Sequence, residues 1–349
     1  MNYKSVLNFF KGKKVLITGH TGFKGSWLST ILDYFGVEVL GYSLSPPSKP
    51  NIFSQVEYSK NFTSVISNIN NKEKFSKCIK GFDPDIIFHL AAQPLVLESY
   101  NNPYLTHITN YSGTLNLLEI LRENNLKSNV VFITTDKVYR NDDILKAFKE
   151  DDPLGGFDPY SSSKAASEIL IKSYYDSFFK KLNIGIASTR AGNVIGGGDW
   201  SENRLIPDIM KYKYNSKDLV VRNPEAIRPW QHVLDPLFGY LLLAKNLMLN
   251  PTQYSQAWNF GPSPENFKSV KDIIIQLGVQ KLNNGNSVTQ EKEAKNLILD
   301  SSKSENLLNW KSKWNFEKTI DKTDKWYKKY YAKKENIKDL IVEDIENYL

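Results

Sequence analysis

The sequence predicts an α/β fold, a doubly wound parallel sheet followed by a smaller C-terminal lobe. Short apolar runs alternate with helical periodicity through the first two-fifths of the chain, which is the pattern of repeated β-α-β units. A glycine-spaced loop, "ITGHTGFKGSWL", joins the first of those runs to the first helix. After about residue 190 the rhythm breaks into Gly- and Pro-rich loops, "NVIGGGDW" and "RNPEAIRPW", between shorter elements.

The elements follow in order. "KKVLIT" (13–18) reads as the first strand. "FKGSWLSTILDYFG" (23–36) has helical periodicity and ends on Gly36, a residue favoured just past a helix C-terminus. "VEVLGYSL" (37–44) and "PDIIFHLAA" (84–92) read as strands, and "NPYLTHITNYSGTLNLLEILREN" (102–124) as one long helix. "NVVFITT" (129–135) is a buried strand, apolar from Val130 to Ile133. Its polarity then flips through Thr134, Thr135, Asp136 and Lys137, and an acid beside a base at a buried strand end is costly unless used. The next helix takes Asp158 as N-cap and Pro159 as first residue. "NIGIASTR" (183–190) is a further strand. The reading divides the chain into a domain over 1–190 and a lobe over 191–349 that sends some segments back to the first domain.

Bulk properties exclude several classes. With 349 residues and 41% apolar content the chain can bury a sizeable core. Its one cysteine, Cys78, rules out an intramolecular disulfide and a cysteine metal cluster. The four histidines, His20, His89, His107 and His232, form no H-E-x-x-H pattern, so no metal site is expected. No run reaches spanning length and the first residues lack signal-peptide features, so a cytoplasmic protein without a membrane partner is expected. The net charge is 45 − 38 = +7, but the lysines concentrate in "KTDKWYKKYYAKKENIKD" (322–339). That is a solvated face rather than a nucleic-acid surface.

Gly19, Gly22 and Gly25 let the backbone turn tightly and approach a pyrophosphate seated on the helix N-terminus. This makes the sheet Rossmann-type and predicts a dinucleotide cofactor. The spacing is G-x-x-G-x-x-G. The second strand ends Gly41, Tyr42, Ser43, Leu44, without the carboxylate that usually grips the adenosine ribose, while His20 and Lys24 add positive charge. NAD bound with modest affinity is the expectation, and NADP stays open.

"PYSSSK" places Tyr160 and Lys164 four apart at a helix start, on one face. A tyrosine pKa near about 10 is too high for a base at neutral pH, but a nearby cation favours the phenolate. The pair then takes a proton from a carbinol as hydride leaves its carbon. Y-x-x-x-K alone occurs by chance; the glycine loop and the polar strand end give it weight.

The motifs "GHTGFKGSWL" (19–28), "GYSLSPPSKPNIF" (41–53), "HLAAQPLV" (89–96), "TTDKVYRN" (134–141), "EDDPLGGFDPYSSSK" (150–164), "RAGNVIGGGDW" (190–200), "RLIPD" (204–208) and "RNPEAIRPWQHVLDPLFGYL" (222–241) run over almost all the chain. They resemble the extended short-chain dehydrogenase/reductases that act on nucleotide sugars, most of all those that dehydrate CDP-glucose. The resemblance implies a cofactor site of Gly19, His20, Thr21, Gly22, Phe23, Lys24, Gly25, Ser43, Asn68, Ile69, Leu90, Ala91 and Ala92, with Tyr160 and Lys164. It implies a nucleotide-sugar site of Gln93, Asn193, Arg204, Leu205, Arg222, Arg228 and His232 in the C-terminal substrate-binding lobe and its margin, with Arg228 foremost. It departs from the family pattern at Leu97 and Glu98, where an arginine is usual, and at "DDILKAF" (142–148), where a Trp-rich segment is frequent.

A 4-epimerase needs only the tyrosine, the lysine, a hydroxyl and the cofactor. A 4,6-dehydratase needs a second acid and base, because water must be lost across C5 and C6 once C4 is a ketone. The resemblance implies that Asp136 is that acid, that Lys137 stands where other relatives carry a glutamate base, and that Thr135 bonds the C4 oxygen. The product would be a 4-keto-6-deoxy sugar for deoxysugar and surface-polysaccharide (O-antigen lipopolysaccharide) synthesis. Other readings stay open: a nucleotide-sugar 4-epimerase, a dehydratase of another nucleotide sugar, or an inactive NAD-binding regulatory protein. Relatives pair through the helix that carries the tyrosine, and "SYYDSFF" (173–179) is compatible with a homodimer or a dimer of dimers.

Overall fold

The computed structural model describes residues 2–142, 146–215, 219, 221, 224–279 and 297–349. Its main sheet holds seven strands: β1 (Lys14–Thr18), β2 (Glu38–Ser43), β3 (Phe62–Ile66), β4 (Ile86–His89), β5 (Asn129–Ile133), β6 (Ile186–Ala191) and β7 (Ala257–Phe260). They run in the order β7-β6-β5-β4-β1-β2-β3 and every pairing is parallel. The order reverses between β1 and β4. Chain connections there leave to opposite faces and open a crevice at the carboxyl ends of the strands.

β3 and β7 are absent from the sequence reading. β3 is an edge strand with its middle residues exposed, so it lacks the apolar run that marks the buried strands. β7 is four residues long and lies within the segment read as the lobe. The stretch read as one helix over 102–124 is helical without a break over 103–123, with a π-helical turn (Ile108–Ser112) set between the α-helical segments Pro103–His107 and Gly113–Glu123. The widened turn carries buried Asn110, whose amide donates to Ser163 Oγ (2.9 Å) and Gln93 O (3.1 Å). π-Turns recur where a side chain must be turned toward a site.

Apolar layers cover both faces of the sheet. On one side lie Trp27, Leu28, Ile31 and Leu32 of helix Phe23–Tyr34 with helix Leu234–Leu249. The latter is buried nearly all round, as a helix with apolar residues on every face must be. On the other side lie Leu117, Leu118 and Leu121 with Ile171 of the helix Pro159–Tyr174. Past residue 191, β7 and helix Leu234–Leu249 join the seven-stranded sheet layer. Helix Leu205–Asn215 and the antiparallel pair Ile227–Pro229 with Phe267–Ser269 lie outside that sheet. Among the described residues, no helix is long and apolar enough to cross a membrane, and no group of three or more His, Cys, Asp or Glu could hold a metal ion.

Candidate active site

The glycine loop at the end of β1 is an interlock of backbone atoms. Gly19 has φ +74°, and a Cβ there would meet Ala91 N at 2.8 Å. A Cβ on Gly25 would lie 2.1 Å from Gly19 O. Gly22 caps helix Phe23–Tyr34 without a side-chain bond, so the first N–H groups have no capping oxygen. Ala91 N and Leu90 N are fixed by Thr18 Oγ1 (3.1 Å) and Thr18 O (3.1 Å), which brings the segment ending in Ala92 beneath the loop. Uncapped N–H groups and space kept free of Cβ atoms fit a pyrophosphate.

Around this loop the residue types sort differently than expected. The His20 ring lies over Gly41, where a Cβ would come within 2.4 Å of it, and His20 Nε2 pairs with Ser64 Oγ at 2.8 Å. Burial lowers its pKa to about 4. The positive charge expected at His20 is therefore absent at neutral pH. The ribose carboxylate has hydroxyls in its place: Thr21 Oγ1 and Ser43 Oγ are 2.9 Å apart, and Thr21 Oγ1 also donates to Leu44 O (2.8 Å). Asn68 accepts the Tyr42 hydroxyl on its carbonyl (3.2 Å), and buried Ile69 packs where a Gly113 Cβ would be. Phe23 opens the helix. Lys24 turns away from the loop toward Tyr240 OH (3.5 Å). Its pKa is lowered to about 8, first by burial and then by Arg204 and Lys164, against the pull of Asp136.

The end of β5 is made of side chains. Thr135 Oγ1 donates to Asp136 Oδ1 (3.0 Å) and caps the single turn Asp136–Val138. Lys137 Nζ lies 3.8 Å from Asp136 Oδ1 and is about one-third exposed. Asp136 Oδ2 is buried without a hydrogen-bond partner, facing Gly192, whose added Cβ would be 3.2 Å away. Asp158 starts the neighbouring helix by accepting from Ser161 N (2.9 Å), which brings Tyr160 and Lys164 to the same place. Burial pushes Tyr160 up to about 12, while a hydrogen bond with Thr135 and the charge of Arg204 pull it down. Lys164 Nζ donates to Ile133 O (3.1 Å); burial lowers it to about 8 and Glu168 opposes that fall.

Of the residues expected to hold a sugar nucleotide, Arg204 joins this cluster, anchored by Asp199 Oδ2 at 2.9 Å. Leu205 begins the adjoining helix, and the Asn193 carbonyl accepts from Gln231 N (3.1 Å). The Gln93 side-chain amide is engaged by Thr106 Oγ1 (2.9 Å) and Leu95 O (3.1 Å). Arg228 stands half-buried on the antiparallel pair, donating to Ile227 O (2.9 Å). Arg222 lies outside the described residues. His232 is a correction: it is fully buried, its ring centroid 4.6 Å from Trp314 and 5.8 Å from Trp27, and it offers no surface to a substrate. The sequence reading missed Asn110, Tyr240, and the buried pair Glu168–Arg190 behind the β5 turn. Only Glu168 carries a signal, four residues after Lys164 on the same helix face.

The family model described as GDP-mannose 4,6 dehydratase matches residues 16–323. The chain is 43% identical over 333 residues to the CDP-glucose 4,6-dehydratase of Salmonella typhimurium, covering 92% of each chain. It is 27% identical to a probable dTDP-glucose 4,6-dehydratase of Sinorhizobium fredii, covering 90% of this chain and 92% of that one. Among solved structures, the dTDP-glucose 4,6-dehydratase of Bacillus anthracis in complex with NAD superposes with a TM-score of 0.74 at 25% identity, covering 91% of this chain and 97% of that one.

Proposed function

The chain belongs to the GDP-mannose 4,6-dehydratase family, and from that premise we propose that it is a hydro-lyase converting CDP-glucose to CDP-4-keto-6-deoxyglucose. The observation that carries this reading is the meeting of two acid–base pairs in one cluster at the end of β5. Tyr160 and Lys164 suffice for redox chemistry at C4; Asp136 and Lys137 have no task in a simple epimerisation. Identity of 43% to a CDP-glucose 4,6-dehydratase supports the substrate.

The glycine loop, the Thr21–Ser43 hydroxyls and Lys164 would hold NAD. When bound, NAD supplies the hydride acceptor for C4 and the hydride donor for C6. Tyr160 takes the proton of the C4 hydroxyl, with Lys164 and Arg204 as the cations that favour its phenolate. Thr135, bonded to Tyr160, would hydrogen-bond the same oxygen. The C4 ketone makes the C5 proton acidic. Asp136 and Lys137 rest as an ion pair, Nζ to Oδ1 at 3.8 Å. Passing one proton from Lys137 to Asp136 turns that pair into a neutral base and a neutral acid. Lys137 then removes the C5 proton, Asp136 protonates the C6 hydroxyl through its partnerless Oδ2, and water leaves. Once C6 is reduced, Lys137 gives its proton back to C5, and the proton that Tyr160 took from the C4 hydroxyl passes to the Asp136–Lys137 pair, which restores both the phenolate and the ion pair.

The enzyme is proposed to act in the cytoplasm, in deoxysugar and surface-polysaccharide synthesis, as a homodimer. Tyr104, Leu105 and Ile169 are exposed on the short helix before the π-turn and on the tyrosine-bearing helix, which supports pairing there. Incubation with CDP-, UDP-, dTDP- and GDP-glucose separately, followed by mass spectrometry, tests the activity. Loss of one water from CDP-glucose is expected. An isomer of unchanged mass would favour a 4-epimerase, and inertness toward all four would contradict an enzyme of this class.

A further inference from the structure

Behind the catalytic turn lies an ion pair that touches none of the reacting groups. Glu168 and Arg190 are both buried and meet bidentately, Nε to Oε1 at 3.0 Å and Nη2 to Oε2 at 3.0 Å. Glu168 also accepts from Thr134 Oγ1 (2.5 Å) and Ser188 Oγ (2.6 Å). Arg190 Nη1 donates to Tyr139 OH (2.8 Å) and to Glu150 O (3.0 Å). Tyr139 in turn donates to Asn259 Oδ1 (2.7 Å) on β7. The pair therefore grips the turn at both ends, through Thr134 and Tyr139, with Asp136 and Lys137 between. Glu168 is also one helical turn beyond Lys164. While Lys164 Nζ holds Ile133 O, Glu168 holds the next residue, Thr134.

A buried ion pair costs much of its Coulombic gain in desolvation, and apolar residues of similar volume often do as well. Stability alone is thus a weak reason for one here. Resting on the dehydratase reading for its kinetic consequence, we propose that Glu168, held by Arg190, is a positioning residue. It keeps Lys164 a cation and keeps Asp136 and Lys137 in register with Tyr160.

The titratable groups that act on Lys164 come from three elements. Glu168 approaches from its own helix, Lys24 from helix Phe23–Tyr34, and His89 from the end of β4. Burial holds His89 down to about 3, so it is neutral; its Nδ1 pairs with Thr18 Oγ1 at 3.0 Å. Lys24 and burial oppose a second cation, and Glu168 is the group that favours it. Replacing Glu168 by glutamine removes the charge at nearly constant shape. The sign follows: Lys164, already lowered to about 8, loses its proton at still lower pH.

The test reads Lys164 directly. Lysine-labelled protein, without substrate, is titrated by carbon NMR at Cε, and the signal is assigned by its loss in Lys164→Arg. In Glu168→Gln the midpoint is expected to fall by about one pH unit or more. In Glu168→Asp, which keeps the charge, it should return toward the wild-type value. The alkaline limb of C4 oxidation should move by the same amount as the NMR midpoint. Should the single glutamine variant not fold, Glu168→Gln combined with Arg190→Met leaves no uncompensated guanidinium and carries the same measurement. Thr134→Val tests the grip on the turn: water loss should slow while the Lys164 midpoint stays in place. An unmoved midpoint in folded Glu168→Gln overturns the charge role even if activity falls. Unchanged water loss in Thr134→Val overturns the positioning role. A protein inert toward every sugar nucleotide but with the shifted midpoint would instead fail the dehydratase reading alone.

Discussion

β1 and β5 flank β4 and end at the same crevice, yet they bring opposite materials to it. At β1 the site is backbone: glycines without room for a Cβ and a helix start without a side-chain cap. Its one histidine is kept neutral by burial. At β5 the site is side chains: an acid, two lysines and a tyrosine, braced by a buried ion pair. In the proposed reaction the first would hold an anion by fixed dipoles and shape. The second would move protons, which requires groups that change charge. The β1 end should therefore tolerate changes of polarity and fail on added volume, and the β5 end should do the reverse.

The largest effect is expected at the tyrosine. Tyr160→Phe keeps the ring and removes the proton acceptor. Formation of reduced nicotinamide on mixing with CDP-glucose should fall by about 10²- to 10⁴-fold or more, read by stopped-flow absorbance. Normal reduction by that variant would assign the C4 proton to another group. Next comes volume at the other strand end. Gly25→Ala places a Cβ 2.1 Å from Gly19 O, a backbone atom with nowhere to go. NAD affinity by calorimetry should drop by at least tenfold, the size of a modest overpacking penalty of about 1–3 kcal/mol. Gly22→Ala meets Gly19 O only at 3.4 Å, so it should cost less. Equal losses from the two would break the shape argument.

The pH response separates the ends again. Lys164 must be protonated to support the Tyr160 phenolate, and its pKa is lowered to about 8, so C4 oxidation should decline as pH rises through that value. Lys164→Arg retains charge to higher pH, and whatever activity survives should lack that limb. NAD binding, held mainly at the β1 end, should change far less over the same range. The smallest effect concerns only the frame. Asp158→Ala removes the cap bond to Ser161 N, at a cost of about 1 kcal/mol seen in thermal unfolding. Oxidation and water loss should fall together, because the whole helix start shifts.

The same contrast explains what the sequence made legible. The glycine turn after β1 could be read because a glycine has few reasons to recur at fixed spacing, and each reason is local. Tyr160 and Lys164 could be read because four residues of helix fix their common face. The burial that neutralises His20 could not, since it depends on Gly41, Phe53 and Phe62 from three other segments. His232 looked like a ligand-binding residue within a charged, Pro-rich stretch; only the packing of Trp27 and Trp314 reveals it as core. Arg190 was the last letter of an apolar strand, and its partner Glu168 lies 22 residues away. β3 was lost because an exposed edge strand carries no apolar signature. Local spacing announces what local geometry fixes; tertiary charge pairing leaves no such trace.

The claim that most needs testing is that the β5 turn performs the elimination. Asp136→Asn keeps the shape of the turn and the acceptor for Thr135 Oγ1, but it cannot receive and deliver a proton. Wild-type and variant protein are mixed with NAD and CDP-glucose, and product mass and nicotinamide absorbance are followed together. The variant is expected to oxidise C4 still, to accumulate reduced cofactor and the 4-keto sugar, and to lose water about 10²- to 10⁴-fold more slowly. Water loss at the wild-type rate in Asp136→Asn would contradict that claim and leave the turn a structural cap on β5.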